Sequence, residues 1–186
     1  TNDKVLAEKI RLNISHGMIR DKNKMNNISN PAPWYYQMKE IGYNYRASEI
    51  SCALGLSQFK RLDTIIYKRE KIAKYYMIAL RENNCLRLPK YKKRAGWHLF
   101  QLSINFPKLG ISRENFVNYL KRKSIGSQIH YIPLVYQPYY KSSTDIKSLQ
   151  GAIQFYENTI SIPMYTELNK KDVNYISKVI NDFFKF

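Results

Sequence analysis

The chain has 186 residues, 44% hydrophobic and 24% charged, the mix of a soluble globular protein with room for one domain or a small domain plus part of another. Its 31 Lys and Arg stand against 14 Asp and Glu, a formal net charge of +17. No apolar run approaches the roughly 20 residues that span a bilayer, and the N-terminus reads as neither a signal nor a transit peptide, so a cytoplasmic chain with no membrane partner is expected.

The chain opens on Thr1-Asn2-Asp3, without a methionine, as the middle of a longer protein would. Leu6, Ile10, Leu12 and Ile14 follow an irregular apolar pattern that predicts a helix capped by Asn2-Asp3 and ended by His16-Gly17. Residues 18–33 are polar and Asn-rich, which predicts a long surface loop, and Trp34-Tyr35-Tyr36 forms an aromatic knot after Pro33. From Ser48 to Asn83 the apolar residues recur at three- and four-residue steps: Ile50, Leu54, Leu62, Ile65, Ile66, then Ile72, Tyr76 and Leu80, with Arg69 in the same series. One straight helix of that length would run on the order of 50 Å, so two helices breaking near Phe59 or Lys60 are expected.

After Pro89 the character turns mixed. Residues 97–106 alternate and are rich in aromatic and branched side chains, which predicts a strand. Ser112 caps a helix carrying Phe116, Val117 and Leu120; residues 127–132 read as a second strand closed by Pro133. A helix over 145–159, a short strand over 160–163 and a last helix capped by Asn169 complete an α/β unit behind a helical arm.

No self-sufficient catalytic motif is present. Gly55-Leu56-Ser57 begins a nucleophile elbow, but Phe59 occupies its last position and the stretch is helical. His16, His98 and His130 have no companion ligands at metal-binding spacing, and the seven glycines are scattered, so no phosphate-cradling loop exists. Cys52 and Cys85 read as free thiols of a reducing compartment. The charge excess suggests an anionic partner, yet the lysines are spread through every segment beside abundant Asn, Ile and Tyr. Drift in an AT-biased genome is the expected source of most of it, with a diphosphate-binding contribution from a few positions, and the densest cluster, Lys90-Tyr91-Lys92-Lys93-Arg94, reads as an exposed loop.

Three ordered strings carry a resemblance. The first runs from Pro33-Trp34-Tyr35-Tyr36 through Gly42-Tyr43-Asn44-Tyr45-Arg46 to Ala53-Leu54-Gly55-Leu56-Ser57-Gln58. The second is Gly126-Ser127-Gln128-Ile129-His130-Tyr131-Ile132-Pro133, with Gln137-Pro138-Tyr139-Tyr140 behind it, and the third is Ser161-Ile162-Pro163-Met164-Tyr165. In this order they resemble the sugar aminotransferases of the DegT/DnrJ/EryC1/StrS family. The branch most similar aminates the 4-keto group of UDP-linked 4-keto-6-deoxy-N-acetylhexosamines on the way to pseudaminic-acid-type sugars.

The resemblance implies a fold of mixed α/β (α+β) class, the C-terminal part of the type I pyridoxal-phosphate-dependent aminotransferase fold. Residues 1–60 would be a remnant of the large cofactor-binding domain with a loop at the dimer interface. Residues 61–186 would be a long linking helix and a small domain with a short sheet flanked by helices. It also implies pyridoxal phosphate as cofactor, glutamate and a nucleotide-linked keto-sugar as substrates, and a homodimer or association with an N-terminal half. The family's Schiff-base lysine lies before the segment resembling Thr1-Asn2-Asp3, so this chain is expected to lack it and to be inactive alone. Asn44 matches the asparagine that reaches the cofactor phosphate of the other subunit. Arg46 is the candidate for substrate diphosphate or carboxylate; one of His130 and Tyr131 would bond the sugar while the other packs inward; Tyr139 would stack on the nucleotide sugar. Each has a plainer reading as a turn asparagine, a solvated arginine or packing side chains. The alternative function is a non-catalytic basic module binding nucleotide sugar or nucleic acid, the latter not the expected partner.

Overall fold

A computed structural model of the chain describes residues 1–140 and 146–185. The chain divides into two compact units, residues 1–60 and residues 61–186.

The first unit is a backbone knot rather than a cored domain. Helix α1 (Lys4–Asn13) starts where the Asp3 carboxylate accepts the N–H groups of Val5 and Leu6 at 2.8 and 3.1 Å, so Asp3, not Asn2, is the cap. His16 and Gly17 then turn the chain through positive φ, 61° and 66°. Within the stretch expected as loop lie strand β1 (Met18–Ile19), paired antiparallel with β2 (Gln37–Met38), and a 3₁₀ turn at Lys22–Lys24 capped by Asp21. Helix α2 (Glu49–Lys60) follows with every residue exposed. Among residues 1–60 only Gly17 and Pro31 are buried.

The second unit holds the core. Helix α3 (Leu62–Leu80) begins after a break at Arg61 and turns Ile72, Ala73, Tyr76 and Leu80 inward. These meet Val173, Ile176, Val179 and Ile180 of α6 (Lys170–Phe183). The Asn169 side chain accepts the N–H groups of Lys171 and Asp172 while Asp172 accepts that of Asn169, a reciprocal capping box that fixes where α6 begins. Strand β3 (Phe100–Ser103) pairs antiparallel with β4 (Thr159–Ile162), Phe100 opposite Ile162 and Ser103 opposite Thr159. Single bridges widen this ribbon, Arg87 to Ser103 on one side and Gln128 to Ser161 on the other. Helix α4 (Arg113–Arg122), capped by Ser112, buries Phe116 and Leu120 against α6.

Three sequence expectations change. The strand over 97–106 shortens to 100–103, because Trp97 sits at φ +40°, Asn158 opposite Ile104 is already helical, and the Phe106 N–H turns back onto Ile104 O. The strand over 127–132 reduces to the one bridge at Gln128. A ladder continued from it would need the N–H of Thr159 opposite His130, and that N–H already closes α5 (Gln150–Asn158) by donating to Phe155 O. The helix expected over 145–159 is a 3₁₀ turn at Ile146–Leu149 followed by α5; residue 145 lies outside the described residues.

Candidate functional site

In the first unit, two glycines let the segment carrying Asn44 lie against the end of α1. A Cβ at Gly17 would sit 1.7 Å from Glu40 O, and one at Gly42 2.3 Å from Gly17 N, so neither position admits a side chain. The contact is sewn by backbone bonds: Tyr43 N–H donates to Asn13 O (2.6 Å), His16 N–H to Tyr43 O (2.8 Å), Lys39 N–H to Gly17 O (2.8 Å) and Tyr45 N–H to Ile14 O (3.1 Å). Extended backbone alternates its side chains, and Tyr43 and Tyr45 stack on each other at 4.9 Å with planes 7° apart. The Asn44 amide and the Arg46 guanidinium are exposed, and neither makes a hydrogen bond or ion pair with another described residue.

In the second unit a cavity of about 710 Å³ opens between β4, the 124–131 segment and α6, within the range of small-molecule sites. His130 and Tyr131 line it; Tyr139 does not. The peptide between His130 and Tyr131 is cis. His130 Nδ1 lies 2.9 Å from Ser161 Oγ and Nε2 lies 3.0 Å from Gln128 Oε1, so both ring nitrogens are engaged by protein groups. Tyr131 packs edge-on against that ring, centroids 4.7 Å apart, and is 76% exposed. Tyr139 is 84% exposed and meets Tyr140 edge-on at 4.9 Å.

The cavity wall is held by residues to which the sequence reading gave no role. Arg69 donates to the carbonyls of Trp97 (3.2 Å), His98 (3.0 Å) and Met164 (3.3 Å), tying α3 to the entry of β3 and the exit of β4. Its place in the apolar series of α3 was the available signal, since an arginine facing a core must satisfy its donors there. Tyr76 donates to Pro163 O at 2.9 Å, and burial pushes its phenol above the usual tyrosine range. Gln128 and Ser161 lie inside two of the resemblance strings, but only the fold brings them to one ring. None of the residues lining the cavity is a lysine, and among the described residues no group of three or more His, Cys, Asp and Glu could hold a metal ion. No helix among them is long and apolar enough to cross a membrane.

The sequence and the fold both have close counterparts. The UDP-4-amino-4,6-dideoxy-N-acetyl-beta-L-altrosamine transaminase of Campylobacter jejuni (serotype O:23/36) is 34% identical over 182 residues, covering 97% of this chain and 46% of that protein. The structure of Helicobacter pylori PseC, an aminotransferase of pseudoaminic acid biosynthesis, superposes with a TM-score of 0.86 at 29% identity, covering all of this chain and 47% of that one. The putative sugar aminotransferase Spr1654 of Streptococcus pneumoniae, in its PLP form, shares the fold with a TM-score of 0.80 at 21% identity, over 98% and 44%. The chain spans about half the length of the curated relatives it matches. The profile of the DegT/DnrJ/EryC1/StrS aminotransferase family matches residues 1–181, and the chain belongs to that family.

Proposed function

We propose that this chain is the C-terminal portion of a pyridoxal-phosphate-dependent aminotransferase that moves an amino group from glutamate to the 4-keto group of a nucleotide-linked deoxy sugar, for cell-surface polysaccharide synthesis. The observation that carries the reading is the unbroken family match over residues 1–181 together with a 34% identical transaminase of an amino-dideoxy sugar nucleotide. The exposed, unengaged side chains of Asn44 and Arg46 and the placing of Tyr131 at the cavity support it.

Pyridoxal phosphate, when bound, supplies the electron sink and carries the amino group between donor and acceptor. The residues present fit one edge of that cofactor. The unengaged Asn44 amide has a free N–H pair suited to a phosphate oxygen, at the tip of a loop that backbone bonds hold fixed. Arg46, two residues on and equally free, offers a forked donor for a diphosphate or a carboxylate. In the second unit, the cavity without a lysine is read as a sugar-binding site, not a Schiff-base site. There the Tyr131 hydroxyl bonds the sugar and Pro163 and Met164 exclude water. Tyr139, outside the cavity, is read as a stacking surface for the base. None of this chain's lysines forms the Schiff base in this reading; it comes from a segment equivalent to the half of the relatives that the match does not span.

The test is co-expression with such a segment from a relative, or with a full-length relative carrying a substituted phosphate-binding asparagine. Transfer of nitrogen from glutamate to a UDP-linked 4-keto-sugar should appear with both partners and not with either alone. Activity of the isolated chain, or none from a stable complex, removes the reading.

A further inference from the structure

The His130 side chain has no nitrogen left for a ligand. Its Nε2 faces Gln128 Oε1 at 3.0 Å, and a carboxamide oxygen only accepts, so the hydrogen of the neutral ring sits on Nε2. Nδ1 is then the acceptor and takes the hydrogen of the Ser161 hydroxyl, 2.9 Å away. Ser161 is 5% exposed, the buried member of the group. Gln128 and Ser161 are themselves locked together, since Gln128 N–H donates to Ser161 O (3.0 Å) and Ser161 N–H to Gln128 O (2.8 Å). Two adjacent segments of the chain thus offer one acceptor and one donor to opposite ends of a single imidazole. The next residue, Tyr131, rests edge-on on that ring while most of its surface stays open at the cavity.

We infer that Gln128, Ser161 and His130 form a positioning clamp: the first two hold His130 as its Nε2–H tautomer, and the fixed ring directs Tyr131 toward a hydroxylated ligand such as the sugar of a nucleotide sugar. His130 is then a positioning residue and Tyr131 the ligand contact. The ligand half rests on the function proposed above; the clamp itself rests only on the geometry of these residues.

The clamp is tested on the chain as it is. Long-range ¹⁵N–¹H spectra at pH 8, where ordinary imidazoles are neutral, distinguish the tautomers, and only three histidines need assignment. His130 should show a single Nε2–H form. Gln128→Met, which keeps length and backbone pairing but removes the acceptor, should give a tautomer mixture, and Gln128→Glu should restore the Nε2–H form. Ser161→Ala should shift the Nδ1 resonance by loss of its hydrogen bond. A wild-type ring that is Nδ1–H or averaging, or one indifferent to Gln128→Met, overturns the clamp. In the complemented enzyme Gln128→Met should raise KM for the nucleotide sugar about threefold to tenfold with kcat little changed, as the loss of one net hydrogen bond predicts, with Gln128→Glu recovering it. A fixed tautomer with KM unmoved by Gln128→Met overturns the ligand half. Absence of complementation with the wild-type chain counts against the proposed function and leaves the clamp to the spectra.

Discussion

Asn44 is presented by neighbours whose backbone N–H groups are bonded to the end of α1. Tyr43 and Tyr45 each donate an N–H to the end of α1 and stack their rings, while Gly17 and Gly42 bring the two segments closer than any Cβ would allow. The amide between them is free of protein partners among the described residues. If it holds the cofactor phosphate in the complemented enzyme, Asn44→Ala removes a hydrogen bond to a charged group. That loss is worth about 1.5–3 kcal/mol, or roughly a tenfold to hundredfold fall in cofactor affinity. Asn44→Asp should do worse, because a carboxylate would face the phosphate. Titration of the complemented apoenzyme with pyridoxal phosphate reads both. Equal affinity for wild type and Asn44→Asp would make the loop a structural turn. Sequence alone pointed to Asn44 only through its motif, since a turn asparagine and a phosphate ligand look alike until the surrounding hydrogen bonds are known.

At the scale of elements, legibility followed how local the cause was. The caps at Ser112 and Asn169 and the inward spacing of Ile72, Tyr76 and Leu80 are written within a few residues, and the fold follows them. The strand expected over 127–132 failed because its fate was settled by Thr159, whose N–H is taken by α5. The basic cluster at 90–94 is exposed as expected, yet it is not a free loop. Tyr91 donates its hydroxyl and Arg94 its backbone N–H (3.1 Å) to Glu70 of α3, Lys74 lies 3.2 Å from the same carboxylate, and Arg94 pairs with Asp63 at 2.7 Å. The Tyr91 hydroxyl, then the Arg94 N–H, lower the Glu70 carboxyl from 4.5 to about 2. A carboxyl depressed on folding stabilises the fold fully above its unfolded value and loses that contribution as pH falls through the folded one. The loss therefore runs from about pH 4.5 down to about pH 2. Tyr91→Phe removes the leading donor, so its melting temperature should fall less steeply than the wild type's across that window. Parallel melting curves from pH 5 to pH 2.5 would show that the loop tie does not stabilise the fold.

Across the whole molecule the two units differ in what could hold them together. Residues 61–186 bury Tyr76, Phe100, Phe116, Leu120, Ile160 and Ile180 completely or nearly so, from three helices and two strands that meet in one cluster. Residues 1–60 bury no apolar side chain except Pro31, while Ile50, Leu54, Leu56 and Phe59 of α2 stand 84%, 62%, 64% and 72% exposed. A helix apolar on several sides gains its stability from a partner surface, and exposed apolar area on this scale marks an interaction face. The sequence showed that α2 is helical and apolar but not that residues 1–60 leave it uncovered, because burial depends on what lies opposite. The prediction is that the isolated segment 61–186 unfolds in one cooperative transition close to that of the second unit in the full chain. The isolated segment 1–60 should show no cooperative transition and should bind a hydrophobic dye. Adding the co-expressed segment of a relative should create that transition and suppress the dye signal, since burying α2 against a complementary surface is what the first unit lacks. A cooperative melt of residues 1–60 by themselves would mean that backbone bonds such as those around Gly17 and Gly42 suffice to fold the unit, and that α2 does not need a partner for stability.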